Sequence, residues 1–251
     1  MSPIVPSQAG ALAEHIDSLL RPLSLPERLR AARDAVEGRI VFTTSFGIED
    51  QVITHAIAEA DVAIDIVTLD TGRLFPETHD VWAATEERYR RHIDVLAPKT
   101  DALEALVAAD GINGFRQSRE ARTRCCGVRK VEPLARALAG AAGWVTGLRG
   151  DQSAYRAATP FAAFDAAQGL IKINPLADKT RDEVAAYVAY NEIPYNALHD
   201  RGFPSIGCAP CTRAVRLGED ERAGRWWWEN DGKKECGLHT RQDVSRVKES
   251  V

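Results

Sequence analysis

A mostly parallel, doubly wound α/β sheet is the fold class this chain predicts, on three observations. Short β-rich runs alternate with segments of helical character from residue 39 onward, and that alternation builds parallel strands covered by helices on both faces. The first two runs end in the glycine-bearing turns Ser45-Phe46-Gly47 and Asp70-Thr71-Gly72, at the strand ends where such sheets bind ligands. A chain of 251 residues with 45% hydrophobic content can also bury one substantial core.

The elements follow in order. Residues 1–38 read as helical packing: Leu12, Ile16, Leu19 and Leu20 fall near helical spacing within 11–20, and Pro22 and Pro26 then interrupt. Residues 39–45 form a strand and 49–60 a helix; 63–69 form a second strand and 76–91 a helix with Pro76 in its first turn. A short strand at 93–97 precedes a helix at 101–109 that Gly111 ends. Helical character resumes at 131–139, and strands follow at 143–148 and 170–173, the latter stopped by Asn174-Pro175. Thr180 and Glu183 have capping-box spacing and open a helix that runs to Asn191, before Pro194. The ligand end of the sheet is therefore expected at 45–47, 70–72 and 149–151.

Composition narrows the function. A formal net charge of −4 argues against a general nucleic-acid binder. No apolar run approaches the roughly 20 residues a bilayer requires, and the N-terminus lacks a basic region followed by an apolar core. A cytoplasmic protein with no membrane and no nucleic-acid partner is expected. Composition shifts after Trp226-Trp227-Trp228, which read as a packing surface, so the chain divides into a domain at 1–228 and a polar, mobile segment at 229–251. Nothing in the sequence opposes a homo-oligomer.

Five cysteines, one pair of them adjacent, make poor material for disulfides but suit metal thiolates or a reactive thiol in a reducing compartment. Cys125 and Cys126 lie within a basic run that includes Arg122, Arg124, Arg129 and Lys130. Adjacent side chains diverge, so both reach one target only where the backbone is irregular, and Gly127 permits that. Cys208-Ala209-Pro210-Cys211 has a spacing that lets both thiolates bind one centre. The four together could hold zinc or an iron–sulfur cluster, and the adjacent pair suits the larger footprint of a cubane. Cys236 stands apart, near Lys233, Lys234 and His239, whose positive charge favours the thiolate, while Glu235 opposes it. Arginines crowd both pairs, Arg213, Arg216, Arg222 and Arg225 following the second, and this placement points to a small anionic ligand.

The two cysteine pairs, Glu235-Cys236-Gly237-Leu238-His239 and the loops Ser45-Phe46-Gly47 and Leu69-Asp70-Thr71-Gly72, in this order, resemble the assimilatory adenylyl-sulfate reductases of bacteria. These are the iron–sulfur members of the phosphoadenylyl-sulfate reductase family, and the resemblance covers about residues 39–240. It implies a sheet of the adenine nucleotide alpha-hydrolase-like type and a 4Fe-4S cluster on Cys125, Cys126, Cys208 and Cys211. It implies Cys236 as nucleophile with His239 beside it. Lys130, Arg149, Arg156, Arg222 and Arg225 would be basic substrate contacts, and Ser45, Gly47, Leu69 and Gly72 would surround the nucleoside. The implied reaction reduces adenylyl sulfate to sulfite and AMP through an S-sulfocysteine, with thioredoxin or a similar dithiol as reductant, in sulfate assimilation and cysteine biosynthesis. Relatives that reduce 3′-phosphoadenylyl sulfate generally lack the four cluster cysteines. Other readings are a 3′-phosphoadenylyl-sulfate reductase, an ATP-pyrophosphatase relative, whose Ser-Gly-Gly-x-Asp-Ser loop becomes Ser45-Phe46-Gly47-Ile48-Glu49-Asp50 here, and a zinc-stapled binding module.

Overall fold

The computed structural model of the chain describes residues 6–153 and 156–229. Strands β1 (Arg39–Thr44), β2 (Asp65–Leu69), β3 (Asp94–Leu96), β4 (Ala141–Val145), β5 (Ala162–Asp165) and β6 (Leu170–Ile173) form one sheet in the order β3-β2-β1-β4-β6-β5. All pairings are parallel except β5 with β6. β1 lies between β2 and β4, with Val41 opposite both Asp65 and Trp144. The chain reverses its winding between β1 and β4, and in a sheet of this kind the crevice beyond that point is where ligands bind.

Pleating explains the two cores. Ile40 and Phe42 face one layer, where they join α1 (Pro6–Leu20), α2 (Leu25–Ala35) and α3 (Ile48–Ala60) through Ile16, Leu29 and Ile53. Val41 points the other way, into a smaller cluster with Trp144 and with Leu134 and Ala137 of α7 (Glu132–Ala137). Each fully buried Ile, Leu or Phe of these clusters contributes about 1.5–3 kcal/mol. α4 (Pro76–Tyr89), α5 (Thr100–Asp110), α6 (Arg119–Cys126) and α8 (Arg181–Tyr190) complete the helices. α8 opens with the expected capping box, Glu183 N–H donating to Thr180 Oγ1 at 3.2 Å and Thr180 N–H to Glu183 Oε2 at 2.8 Å. No helix of the described residues is long and apolar enough to cross a membrane.

Three elements differ from expectation. Pro26 does not interrupt a helix but stands in the first turn of α2, where Glu27 accepts from Ser24 N–H at 2.8 Å. β5 was not expected at all. The adjacent cysteines close a regular helix, α6, and the irregular backbone follows them as a π-helical turn at Gly127–Val131.

Candidate active site

The loops that follow β1, β2 and β4 enclose an open cleft at the reversal point, and segment 204–207 and residues 221, 222 and 225 form its far wall. Its β1 side is set by Phe46. That residue adopts φ +58° with its ring buried and stacked on Trp82 at 5.5 Å, which turns the chain so that Gly47 caps α3. Asp50, in the first turn of α3, folds back to accept from Ser45 N–H at 2.6 Å and Ser45 Oγ at 2.8 Å. Burial pushes its carboxyl up to about 6, against the opposing pull of the Ser45 hydrogen bonds. Asp50 stands where the Ser-Gly-Gly-x-Asp-Ser loop has its last serine. A carboxylate already holding the donors of Ser45 leaves a pyrophosphate poorly served, which argues against the ATP-pyrophosphatase reading.

Of the expected substrate residues, Ser45, Gly47, Leu69, Lys130, Arg156, Arg222 and Arg225 all line this one cleft. Gly72 and Arg149 do not. Gly72 is exposed at φ +66°, its N–H bonded to Asp70 Oδ1 at 2.8 Å and Arg129 lying over it. Arg149 is wholly buried, its fork divided among Glu49 (2.8 Å), Asp151 (3.2 Å) and Glu221 (3.2 Å). Arg225 is buried over the Trp226 ring at 4.8 Å and donates to Ile206 O at 3.2 Å. The cleft also contains residues that the sequence did not mark: Glu49, Asp50, Gln152, His199 and Glu221. Glu49 and Asp50 carried one overlooked signal, two acids in the first turn of a helix that begins at a ligand loop.

Behind the cleft, Cys125, Cys126, Cys208 and Cys211 line one small pocket, all as free thiols. Lys130 lines both spaces. The first pair arrives at the end of α6; the second flanks a short turn, Ala209–Cys211, in which Cys211 N–H donates to Cys208 O at 2.9 Å. Burial pushes Cys211 up to about 12, and Cys208 and Cys126 add to the rise. Burial also raises Cys125. For Cys208, burial is outweighed by Lys130, by the Thr71 hydroxyl at 3.3 Å and by Arg225 and Arg129, so this thiol lies below its ordinary value.

Two further observations bear on what these thiols could hold. Trp226 Nε1, Trp228 Nε1 and Arg129 Nε, all beside the cysteines, are buried with no hydrogen-bond partner among the described residues. An unsatisfied buried donor costs about 1–3 kcal/mol, and acceptor sulfur in the pocket would relieve it. Among the described residues, no three His, Cys, Asp or Glu side chains are arranged to hold a single metal ion, whose tetrahedral thiolates would stand about 3.8 Å apart. Four thiols with unpartnered N–H donors around them suit a metal–sulfur group in their chemistry. Cys236 and His239 lie outside the described residues, as does the segment beyond Glu229.

Known proteins share this sequence and fold. The phosphoadenosine phosphosulfate reductase domain matches residues 39–214. A protein of Agrobacterium fabrum named adenosine 5′-phosphosulfate reductase is 57% identical, over 93% of this chain and 89% of its own. One of the same name from Allochromatium vinosum is 54% identical, over 82% and 81%. The crystal structure of a phosphoadenylyl-sulfate reductase from Candida auris, in a phosphate complex, superposes with a TM-score of 0.71 at 28% identity, covering 86% of this chain and 99% of that one. From its fold, its matched domain and its relatives, the chain is an enzyme of the phosphoadenosine phosphosulfate reductase family.

Proposed function

We propose that this enzyme reduces adenosine 5′-phosphosulfate to sulfite and AMP through an S-sulfocysteine on Cys236, with thioredoxin or a similar dithiol as reductant, in cytoplasmic sulfate assimilation. The observation that carries the proposal is the convergence of Lys130, Arg156, Arg222 and Arg225 with the nucleoside loops in one cleft backed by the four-cysteine pocket. Adenylyl sulfate, rather than its 3′-phosphorylated form, is favoured because the relatives at 54–57% identity carry that name, against 28% for the phosphoadenylyl-sulfate enzyme.

In this reading the Cys236 thiolate attacks the sulfate sulfur, and the bond from that sulfur to the bridging oxygen breaks with its electron pair leaving on AMP. AMP departs as a stable anion, so the demand on the site is charge compensation rather than a strong acid. Lysine and arginine forks supply it, each charge-assisted contact being worth about 1.5–3 kcal/mol. A dithiol thiolate then attacks the Cys236 sulfur, expels sulfite, and its second thiol resolves the mixed disulfide, so both electrons come from the dithiol. Cys125, Cys126, Cys208 and Cys211 would hold a 4Fe-4S cluster, with Thr71, Trp226 and Trp228 as donors to sulfur. When bound, that cluster supplies a charged centre behind Lys130.

Reduced enzyme given adenylyl sulfate without dithiol should release about one AMP per site and stop, since the second step is arrested. Intact mass should show one sulfonate adduct on the peptide containing Cys236, and reduced thioredoxin should remove it with release of sulfite. Sulfite release at the wild-type rate from Cys236→Ser, or an adduct mapped to another cysteine, overturns the mechanism.

A further inference from the structure

Three carboxylates, Glu49, Asp50 and Glu221, line a cleft read here as built for an anion. Asp50 is occupied by Ser45, and the other two share one partner: Arg149 donates through Nε to Glu49 Oε1 at 2.8 Å and through Nη2 to Glu221 Oε2 at 3.2 Å. Arg181 reaches Glu221 from the start of α8 at 3.4 Å. A guanidinium with no exposure, held by carboxylates from two distant parts of the chain, is a knot whose removal strands unpaired buried charge.

The knot ties the residues that face the ligand. Segment 213–225 is a loop closed at its base, where Arg213 N–H donates to Gly224 O at 3.0 Å, with an exposed tip at Leu217 and Gly218. Within it Arg222 N–H donates to Asp220 Oδ1 at 2.8 Å and Arg225 N–H to Arg222 O at 2.9 Å, so residues 220–225 form one hydrogen-bonded turn. Glu221 lies in that turn, and its carboxylate points to Arg149. On the other side, Gln152 Oε1 accepts from Arg149 N–H at 3.2 Å and from the Arg156 guanidinium, while its amide donates to Glu49 at 3.2 Å. Arg149 therefore holds Glu221 beside Arg222 directly, and Arg156 through Gln152.

We propose that the Arg149–Glu221 ion pair is a positioning device, which fastens the loop carrying Arg222 and Arg225 to the loop after β4 and so sets where the cations of the cleft meet a ligand phosphate. Arg149 thereby acts through other residues and does not touch the ligand. Glu221 acts through Arg222, next to it in the chain. The inference rests on the proposed adenylyl-nucleotide reading for the identity of the ligand.

The test measures binding of AMP and of adenosine by titration calorimetry. It compares the wild-type protein with Glu221→Gln, Arg222→Ala and the double variant. Glu221→Gln is used because it keeps the shape of the side chain and leaves Arg149 paired with Glu49 and Asp151, whereas replacing Arg149 endangers the fold. Glu221→Gln should weaken AMP about five- to thirtyfold, the effect of a misplaced charge-assisted contact, and leave adenosine within about twofold. In the Arg222→Ala background it should add no more than about twofold, because the two act as a unit. An equal loss for AMP and adenosine would mark a merely structural role and overturn the inference, as would full additivity with Arg222→Ala. Failure of the wild-type protein to bind either ligand would instead overturn the nucleotide reading, and the inference with it.

Discussion

Gly207, immediately before Cys208, offers a perturbation whose effect can be worked from the structure. A Cβ at this position would stand 2.6 Å from Arg225 Cζ and 3.0 Å from its Nη1, far inside the ~3.5–4.0 Å optimum for such contacts. The φ of Gly207 lies outside the left-handed region, so alanine strains nothing in the backbone and acts through Arg225 alone. Arg225 is buried, but its guanidinium ends a flexible side chain that borders the open cleft, so it yields by withdrawing from its present place. Withdrawing it sacrifices the bond to Ile206 O at 3.2 Å and the stacking on Trp226 at 4.8 Å. Overpacking of this kind costs about 1–3 kcal/mol in stability. If the guanidinium also loses its grip on the ligand phosphate, the missing contact of about 1.5–3 kcal/mol weakens AMP about 10- to 150-fold. Titration calorimetry with AMP reads the second effect and a urea melt the first. Arg225→Ala removes the obstacle, so Gly207→Ala added to it should change neither quantity. Unchanged AMP affinity in Gly207→Ala, or the same loss with and without Arg225, would refute the reasoning.

Iron and sulfide analysis after anaerobic purification should find Cys208→Ser depleted of iron and Cys236→Ser loaded like the wild type; equal loss in both would remove Cys208 from its assigned role. Asp50 binds its proton more tightly folded than unfolded, at about 6 against 3.8, so the stability it contributes is fully present below about pH 4 and is lost as pH rises through 6. Wild-type stability relative to Asp50→Asn should therefore fall by up to ~3 kcal/mol between pH 4 and pH 7.5 in urea titrations, and a flat difference would show that the carboxyl is not so shifted. Arg28, buried between α2 and the loop after β6, donates to Leu20 O at 3.0 Å, Pro175 O at 2.8 Å and Asp178 at 2.7 Å. Arg28→Met should lower the urea midpoint by an amount equivalent to about 1.5–3 kcal/mol with no change in slope, and an unmoved midpoint would exclude that tie.

Much of the fold was legible because its signals are local. The central strand is a continuous apolar run since Ile40, Val41 and Phe42 are buried on alternating faces, and the turns after β1 and β2 end where a strand must meet its helix. What stayed hidden depends on partners far along the chain. Ala162–Asp165 has little strand character of its own and is held by pairing Phe164 with Ile171. α6 lacks an apolar stripe, because the residues it turns inward include Arg122, which pairs with Glu229 and lies over Trp226 at 4.4 Å. In the same way, the sequence places Arg149 in a ligand loop, but only the fold shows that its fork faces Glu49 and Glu221.

The cysteine pocket and the cleft share more than a boundary. Arg122 of the pocket and Arg225 of the cleft both lie over the indole of Trp226, at 4.4 Å and 4.8 Å, where the ring offsets some of the repulsion between two buried cations. Trp226 occupies this position at φ +43°, a strained conformation for a bulky residue that costs about 1–3 kcal/mol, and its backbone N–H donates to Cys211 O at 3.1 Å. A pocket that served only to staple the chain would not require a strained tryptophan beneath an arginine of the cleft. Burial lowers the local dielectric, so a charged group held in the pocket would act on Arg225 and Lys130 with less screening than water would give. A cluster held as proposed by the four cysteines would thus bear on the electrostatics of the cleft through Lys130 and Arg225.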